Sequence, residues 1–140
     1  MFCGPCAISS LTGLPVSDIN YWLKGYRRTH EPIEGVYPKE FIAFLTSHGF
    51  SVKTLLNNNG HRKGETSGRF TVRALLAEWD FDDTKAYAVV MRTDRRTYHI
   101  GVINRGRYLC THTDGKWVSF DEAPLKTKTV YELYAIEKIR

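Results

Sequence analysis

Two short stretches of the sequence carry the residue types of a thiol enzyme. The first, Cys3-Gly4-Pro5-Cys6, opens an apolar run that has the spacing of a buried helix. Pro5 suits the first turn of a helix, where a missing N–H costs nothing, so we expect a cysteine at a helix N-terminus. Unpaired N–H groups and the positive end of the helix dipole stabilise a thiolate at such a position.

A histidine that could act with this thiol follows far along the chain. The stretch from Tyr98 to Ile103 alternates like a half-buried strand and carries one imidazole, His99. A cysteine at a helix start followed by a histidine on a strand is the order of groups in a thiol hydrolase.

The residues after His99 predict a hairpin that supplies groups to orient the imidazole. If Arg105 and Gly106 form a tight turn, His99 lies opposite His112, and Cys110 and Asp114 lie diagonal to it on the same sheet face. A neighbouring acceptor fixes the tautomer of a histidine and stabilises its protonated form. The pattern therefore leaves three candidates for the orienting group.

Length, composition and charge narrow the class of protein. A chain of 140 residues with 42% hydrophobic content corresponds to one domain that can bury a core without disulfides. The net charge of +5 is scattered along the chain, which disfavours a nucleic-acid partner. Three cysteines, an odd number, indicate a reducing compartment. Because no leader pattern and no apolar run of about eighteen residues is present, we expect a soluble cytoplasmic protein without a membrane partner.

Helical patterns fill the first part of the chain and strand patterns most of the second. Helices are predicted from Cys3 up to Gly13, from Ser17 to Gly25, from Pro38 up to Gly49 and after Thr71. The predicted strands are Phe50 to Leu55, Ala86 to Met91, Tyr98 to Asn104, Arg107 to Thr113 and Thr129 to Glu137. Residues 57–69 contain no apolar side chain and are expected to form a mobile loop. This order predicts a single α+β domain over residues 1–140, with N-terminal helices followed by an antiparallel sheet that carries the histidine.

Together these stretches resemble the papain-like cysteine peptidase superfamily. The similarity lies in FCGPCAISSLTGLP and in YHIGVI followed by a short glycine turn. The nearest branch is that of the bacteriocin-processing peptidases and the small phage proteins that share a Cys-Gly-Pro helix start. The resemblance implies a papain-like fold and a cysteine peptidase or amidase-like activity that passes through an acyl-enzyme, without a cofactor. It also implies a bacteriophage protein that acts in the host cytoplasm on a polypeptide substrate or a host protein.

The resemblance assigns the nucleophile and the base. In that branch the reactive cysteine stands immediately before Gly-Pro, which here is Cys3, and the base is the strand histidine, here His99. In papain itself the second cysteine of a similar run reacts, which would select Cys6 instead; the Gly-Pro pattern favours Cys3. Because only Met1 and Phe2 precede Cys3, the backbone N–H groups of Cys3 and Gly4 are expected to hold the oxyanion.

The resemblance also limits the third catalytic member to the hairpin. The family usually has an aspartate at the position of Cys110, so the orienting group would be Cys110, His112 or Asp114. Related bacterial cell-wall endopeptidases use a second histidine near the position of His112. His112 and Asp114 are therefore the candidates beside Cys3 and His99.

A structural zinc site is the alternative that the same residues allow. Cys3, Cys6, Cys110 and His112 offer three thiolates and one imidazole, the ligand set of a tetrahedral site. Such a site would make the protein a metal-stapled binding or inhibitory module that acts on a host factor. A third alternative is a papain-like fold that binds a peptide without cleaving it. A thioredoxin-like role for the Cys-Gly-Pro-Cys run is disfavoured, because no strand precedes it.

Overall fold

The computed structural model describes residues 3–57, 71–94 and 97–139, with the side chains at positions 3, 93, 94 and 97 excepted. In this part of the chain the fold is α+β, with four α-helices and six antiparallel strands. The helices are α1 (Cys3–Thr12), α2 (Val16–Arg27), α3 (Pro38–Ser47) and α4 (Val72–Glu78). The strands are β1 (Phe50–Leu56), β2 (Ala86–Asp94), β3 (Thr97–Asn104), β4 (Arg107–Leu109), β5 (Val118–Ser119) and β6 (Thr129–Lys138).

The six strands form one sheet in the order β1-β6-β2-β3-β4-β5, and each neighbouring pair is antiparallel. β2 and β6 occupy the middle of the sheet together with β3, which carries His99. The prediction of N-terminal helices followed mainly by antiparallel strands is confirmed at this level. β1 is the one early strand, and it pairs with the last, β6.

The two faces of the sheet carry separate cores. One face, which we call the three-helix face, packs against α1, α2 and α3 through alternate strand residues; on β2 and β3 these are Ala88, Val90, Ile100 and Val102. The opposite face, which we call the α4 face, packs against α4 and the last third of the chain; on β2 and β3 its residues are Tyr87, Val89, Met91 and Ile103. Because side chains alternate along a strand, neighbours in sequence belong to opposite faces.

An ion pair links α2 and α3 on the three-helix face. Arg27 at the end of α2 donates from Nε and Nη2 to the Glu40 carboxylate of α3, at 2.6 and 2.7 Å, and also donates to the Gly35 carbonyl at 2.6 Å. Glu40 in turn accepts a bond from the Tyr37 N–H at the start of α3. Burial by itself would raise the pKa of Glu40, but the bonds from Arg27 and Tyr37 outweigh it and hold that pKa below its usual value.

Most of the predicted boundaries are confirmed. α1 ends before Gly13, α3 begins at Pro38, and Gly49 takes the left-handed conformation (φ 86°) that ends a helix. The Thr71 hydroxyl accepts a bond from the Ala74 N–H at 3.1 Å and so caps α4.

Two predicted boundaries are wrong. The second helix begins at Val16, after an extended Pro15, and it continues through Gly25 to Arg27 because the left-handed residue that ends it is Arg28 (φ 57°). The strand predicted from Arg107 to Thr113 stops at Leu109, where the chain enters a 3-10 turn over Thr111–Thr113. The loop predicted over 57–69 lies outside the described residues from position 58 onwards.

None of the helices in the described ranges is long and apolar enough to cross a membrane.

Candidate active site

His99 is a buried imidazole on the α4 face. It pairs with Met91 across the β2–β3 ladder, and Met91 belongs to the core of that face. Only 2% of the surface of His99 is exposed, and its Nε2 has no hydrogen-bond partner among the described residues. A buried ring nitrogen that makes no hydrogen bond is costly, because burial removes the water that would otherwise bind it.

The hairpin places His112 against His99, as its predicted register requires. Asn104 pairs with Arg107 across a turn at Arg105 and Gly106, whose φ angles are both positive (50° and 73°). The ring centroids of His99 and His112 lie 4.7 Å apart, with the planes at 75° to each other. His112 itself is exposed, so it covers the buried ring from the solvent side.

The 3-10 turn explains how His112 reaches this position although the ladder has ended. The Cys110 N–H donates to the Thr113 hydroxyl at 3.1 Å, and the Thr113 N–H donates back to the Cys110 carbonyl at the same distance. Cys110 is 1% exposed and lies in the core of the α4 face, the same face as His99. The prediction that these two side chains share a face is therefore confirmed.

Asp114, the other predicted orienting residue, stands apart. It takes a left-handed conformation (φ 55°) at the end of the 3-10 turn and is exposed. Within the described residues no contact joins it to His99. Of the hairpin candidates, His112 is the one whose ring touches the imidazole.

Burial keeps the His99 imidazole neutral. Burial first, and then the positive charge that His112 can carry, lower the pKa of His99 to about 4. Among the described residues no carboxylate raises this pKa, which agrees with the lack of a contact between Asp114 and His99 there. At neutral pH the ring is therefore an uncharged base, able to accept a proton on one nitrogen.

Helix α1 begins at the same end of the sheet as His99. Its last residues, Ser10 to Thr12, line a cavity of about 310 Å³ together with Asn104, at the far end of β3. α1 packs along β3 and is ten residues long, roughly 15 Å, which is close to the roughly 17 Å from Asn104 back to His99. The first turn of α1, where Cys3 lies, therefore stands at the level of His99.

The sheet nevertheless lies between α1 and the His99 side chain. α1 contributes Ala7 and Ile8 to the core of the three-helix face, whereas His99 projects from the α4 face. The side chain of Cys3 is outside the described residues, so the predicted contact with His99 stays a prediction. The backbone N–H groups of Cys3 and Gly4 do lie in the first turn of a helix, as predicted for an oxyanion hole.

The residues of the alternative zinc site lie on different sides of the sheet. Cys6 is half-buried on α1, on the three-helix face, and Cys110 is buried on the α4 face with His112 nearby. Among the side chains that the structure describes, no three histidine, cysteine or acidic groups come together as metal ligands. The zinc site stays a hypothesis for which the described geometry offers no cluster.

Sequence reasoning missed an aromatic cleft on the three-helix face. Tyr37, Tyr98, Tyr131 and Tyr134 line it, and they come from the start of α3 and from β3 and β6. The visible signal was the spacing of Tyr131 and Tyr134 in β6 around an acidic residue, Glu132. Nothing in the sequence indicated that the other tyrosines meet them.

Comparison of the chain with protein-family models, with curated proteins and with solved structures finds no match. The resemblance to papain-like peptidases therefore rests on the residues themselves.

Proposed function

We propose that this chain is a thiol hydrolase of papain-like fold, in which Cys3 is the nucleophile and His99 the base. The observation that carries the proposal is the buried, neutral His99 imidazole with an unpaired Nε2, at the end of the sheet where α1 begins with Cys3. A neutral histidine can accept a thiol proton, and the thiolate that forms beside it would raise the pKa of the imidazole from the low value that burial gives it.

The reaction is covalent acyl transfer. His99 removes the Cys3 proton, and the thiolate attacks the carbonyl carbon of an amide or thioester to give a tetrahedral oxyanion. N–H groups of the first turn of α1 hold that oxyanion. Protonated His99 then gives its proton to the leaving amine or thiol, which departs and leaves a thioester on Cys3. Water attacks this thioester while His99 takes its proton; the C–S bond then breaks, the acid departs, and His99 returns the proton to the Cys3 sulfur.

His112 is the positioning residue in this proposal. Its ring packs edge-on against His99 and can turn to accept the imidazole N–H when His99 becomes protonated. Cys110 and Asp114 are weaker candidates, since the first is a buried core residue and the second is exposed beyond the turn.

The proposal makes one demand on the geometry. Because His99 leaves β3 on the face opposite to α1, its ring and the Cys3 thiol must meet beyond the end of the sheet. The placement of His99 and α1 on opposite faces of the sheet favours one alternative function, a non-catalytic module of the same fold that binds a polypeptide or host protein. The two functions differ in whether Cys3 becomes acylated.

Trapping of the acyl-enzyme tests the proposal. The protein is incubated with a small activated thioester, quenched in acid, and digested for mass spectrometry of the peptides that contain Cys3, Cys6 and Cys110. We expect an acyl adduct on Cys3 that disappears in Cys3→Ser, falls at least tenfold in His99→Ala, and persists in Cys6→Ser. An adduct on Cys6 alone would move the nucleophile, and equal slow labelling of all three thiols would leave the non-catalytic module.

A further inference from the structure

The aromatic cleft on the three-helix face is shaped like a ligand site. Its volume is about 390 Å³, within the range of small-ligand pockets. The rings of Tyr98 and Tyr131 form one wall, with centroids 4.7 Å apart and planes tilted by 42°. Tyr134 lines it from β6, and Tyr37, which is 70% exposed, stands at the rim.

Glu132 brings a carboxylate into this aromatic lining. It lies on β6 opposite Val90, so it points to the three-helix face, and it is half-buried there. No ion pair to Glu132 occurs among the described residues, although a partly buried carboxylate is stabilised by a cation. Burial first, and then the hydrogen-bonding and charge interaction with the nearby Glu132 carboxylate, raise the pKa of the Tyr134 phenol, which therefore stays protonated.

We propose that this cleft binds the side chain of a lysine or arginine from a polypeptide. Aromatic faces attract a cation through their negative quadrupole, and a carboxylate among them adds direct charge complementarity. An apolar or aromatic side chain would fill the same space but would leave the half-buried Glu132 carboxylate without a cationic partner.

Two cationic residues near the cleft set the balance of charge. Lys39 lines the rim and is exposed, so its ammonium can turn into solvent when a ligand enters. Arg92 is exposed too, and its charge reaches the Tyr131 phenol. Both positive charges weaken the attraction for a cation without filling the carboxylate-lined interior. Removal of Lys39 should therefore strengthen binding.

The cleft adjoins the start of α1. A side chain at Gly4 would overlap Val36, which directly precedes Tyr37 at the rim. Tyr98 is the neighbour of His99 along β3. A peptide that places a basic side chain in the cleft would thus run past the first turn of α1, and this role as a substrate subsite rests on the proposed function. Binding of the basic side chain itself does not depend on catalysis.

Peptide titrations followed by two-dimensional NMR of the 15N-labelled protein test the site. The probes are one capped Gly-Ser-Xaa-Ser-Gly peptide with arginine, its uncharged isostere citrulline, or phenylalanine at Xaa. We expect the arginine peptide to bind about tenfold more tightly than the citrulline peptide and to shift the amides of Tyr98, Glu132 and Tyr134. Glu132→Gln should remove most of this preference, and Lys39→Ala should tighten binding two- to threefold.

Glu137→Gln is the matched control. Glu137 is on the same strand, but it is paired with Lys85 at 3.4 Å and lines the cavity at the other end of the sheet, so the arginine preference should be unchanged. All titrations are repeated in Cys3→Ser, which removes the proposed nucleophile, so a failure of catalysis cannot imitate a failure of binding. Equal affinity for arginine and citrulline, tighter binding of phenylalanine, or an unchanged preference in a folded Glu132→Gln variant would overturn the proposal.

Discussion

The two faces of the sheet differ in the elements that cover them and in how their buried ionisable groups are paired. On the three-helix face, ten- to twelve-residue helices cover an apolar core, and its buried acid, Glu40, is matched by Arg27. The α4 face is covered by one seven-residue helix and two 3-10 turns, and the Nε2 of its buried imidazole, His99, has no hydrogen-bond partner among the described residues. A buried side-chain oxygen without a hydrogen-bond partner among the described residues also occurs on the three-helix side, at Asn20 of α2. The faces therefore differ in their buried ionisable group, since Glu40 has a charged partner and His99 Nε2 has no hydrogen bond among those residues.

The largest expected effect is a difference between the faces in how much a core substitution lowers the free energy of unfolding. Phe41 is fully buried and stacks on Tyr134, with centroids 6.3 Å apart, whereas Phe120 on the α4 face is only half-buried against Phe81. Phe41→Ala should lower the free energy of unfolding by about 3–5 kcal/mol and Phe120→Ala by about 1–2 kcal/mol. Urea denaturation measures both. Equal losses would show that the α4 face is packed as tightly as its counterpart.

Acid should destabilise the protein through His99. The pKa of His99 is about 4 in the folded protein and ordinarily near 6.5, so the unfolded chain binds more protons between these values. Stability attributable to this group is unaffected above pH 6.5, decreases as the pH falls from 6.5 to 4, and levels off below 4. The loss amounts to about 3 kcal/mol at most.

The measurement for this prediction is unfolding free energy against pH in the wild type and in His99→Leu. The variant should lack the decrease between pH 6.5 and 4, while the exposed His30 and His112 remain in both proteins. A parallel pH dependence in the two proteins would mean that His99 is protonated as easily as an exposed histidine.

A close contact between β3 and β4 gives the next effect. A methyl group on Gly101 would overlap the ring of Tyr108 on the α4 face, so Gly101→Ala should cost about 1–3 kcal/mol. Gly25 in α2 has open space around its Cα, and Gly25→Ala should stabilise the protein by about 0.5–1 kcal/mol. Thermal unfolding compares the pair, and a neutral Gly101→Ala would show that Tyr108 yields without strain.

The smallest effect concerns the two histidine rings. His112→Ala removes the neighbouring charge, so the pKa of His99 should rise from about 4 towards its ordinary value, by less than burial lowers it. NMR titration of the His99 ring protons measures the change, with His30→Ala as a control at an exposed site. An unchanged pKa in His112→Ala would leave burial as the sole cause.

The sequence was informative where local chemistry decides the outcome. Pro38 and Thr71 begin helices and Gly49 ends one because caps act within one turn, and the Arg105-Gly106 turn fixed the register that brings His112 to His99. The sequence pattern was misleading at Gly25, since a helix tolerates a single glycine when its neighbours pack. It was also misleading at Leu109, because the hydrogen bonds between Cys110 and Thr113 favour a 3-10 turn over a longer strand.

Tertiary relations were harder to predict. Alternation along β3 showed that Tyr98 and His99 point to opposite faces, but it could not show which face α1 covers, because both faces are apolar. The cleft joins Tyr37 to Tyr98 and Tyr131, which are far apart in sequence, and a meeting of that kind leaves no local pattern.

The rate at which iodoacetamide labels each thiol near pH 6 is the most direct test of a Cys3–His99 pair. Cys3, Cys6 and Cys110 are followed by peptide mapping without reductant, with and without a chelator, in the wild type, His99→Ala and the control His30→Ala. We expect Cys3 to react at least tenfold faster than the other two thiols, regardless of chelator, and to slow about tenfold only in His99→Ala. Equal rates for Cys3 in the wild type and His99→Ala would contradict this expectation, and protection of the thiols until chelator is added would establish the zinc site instead.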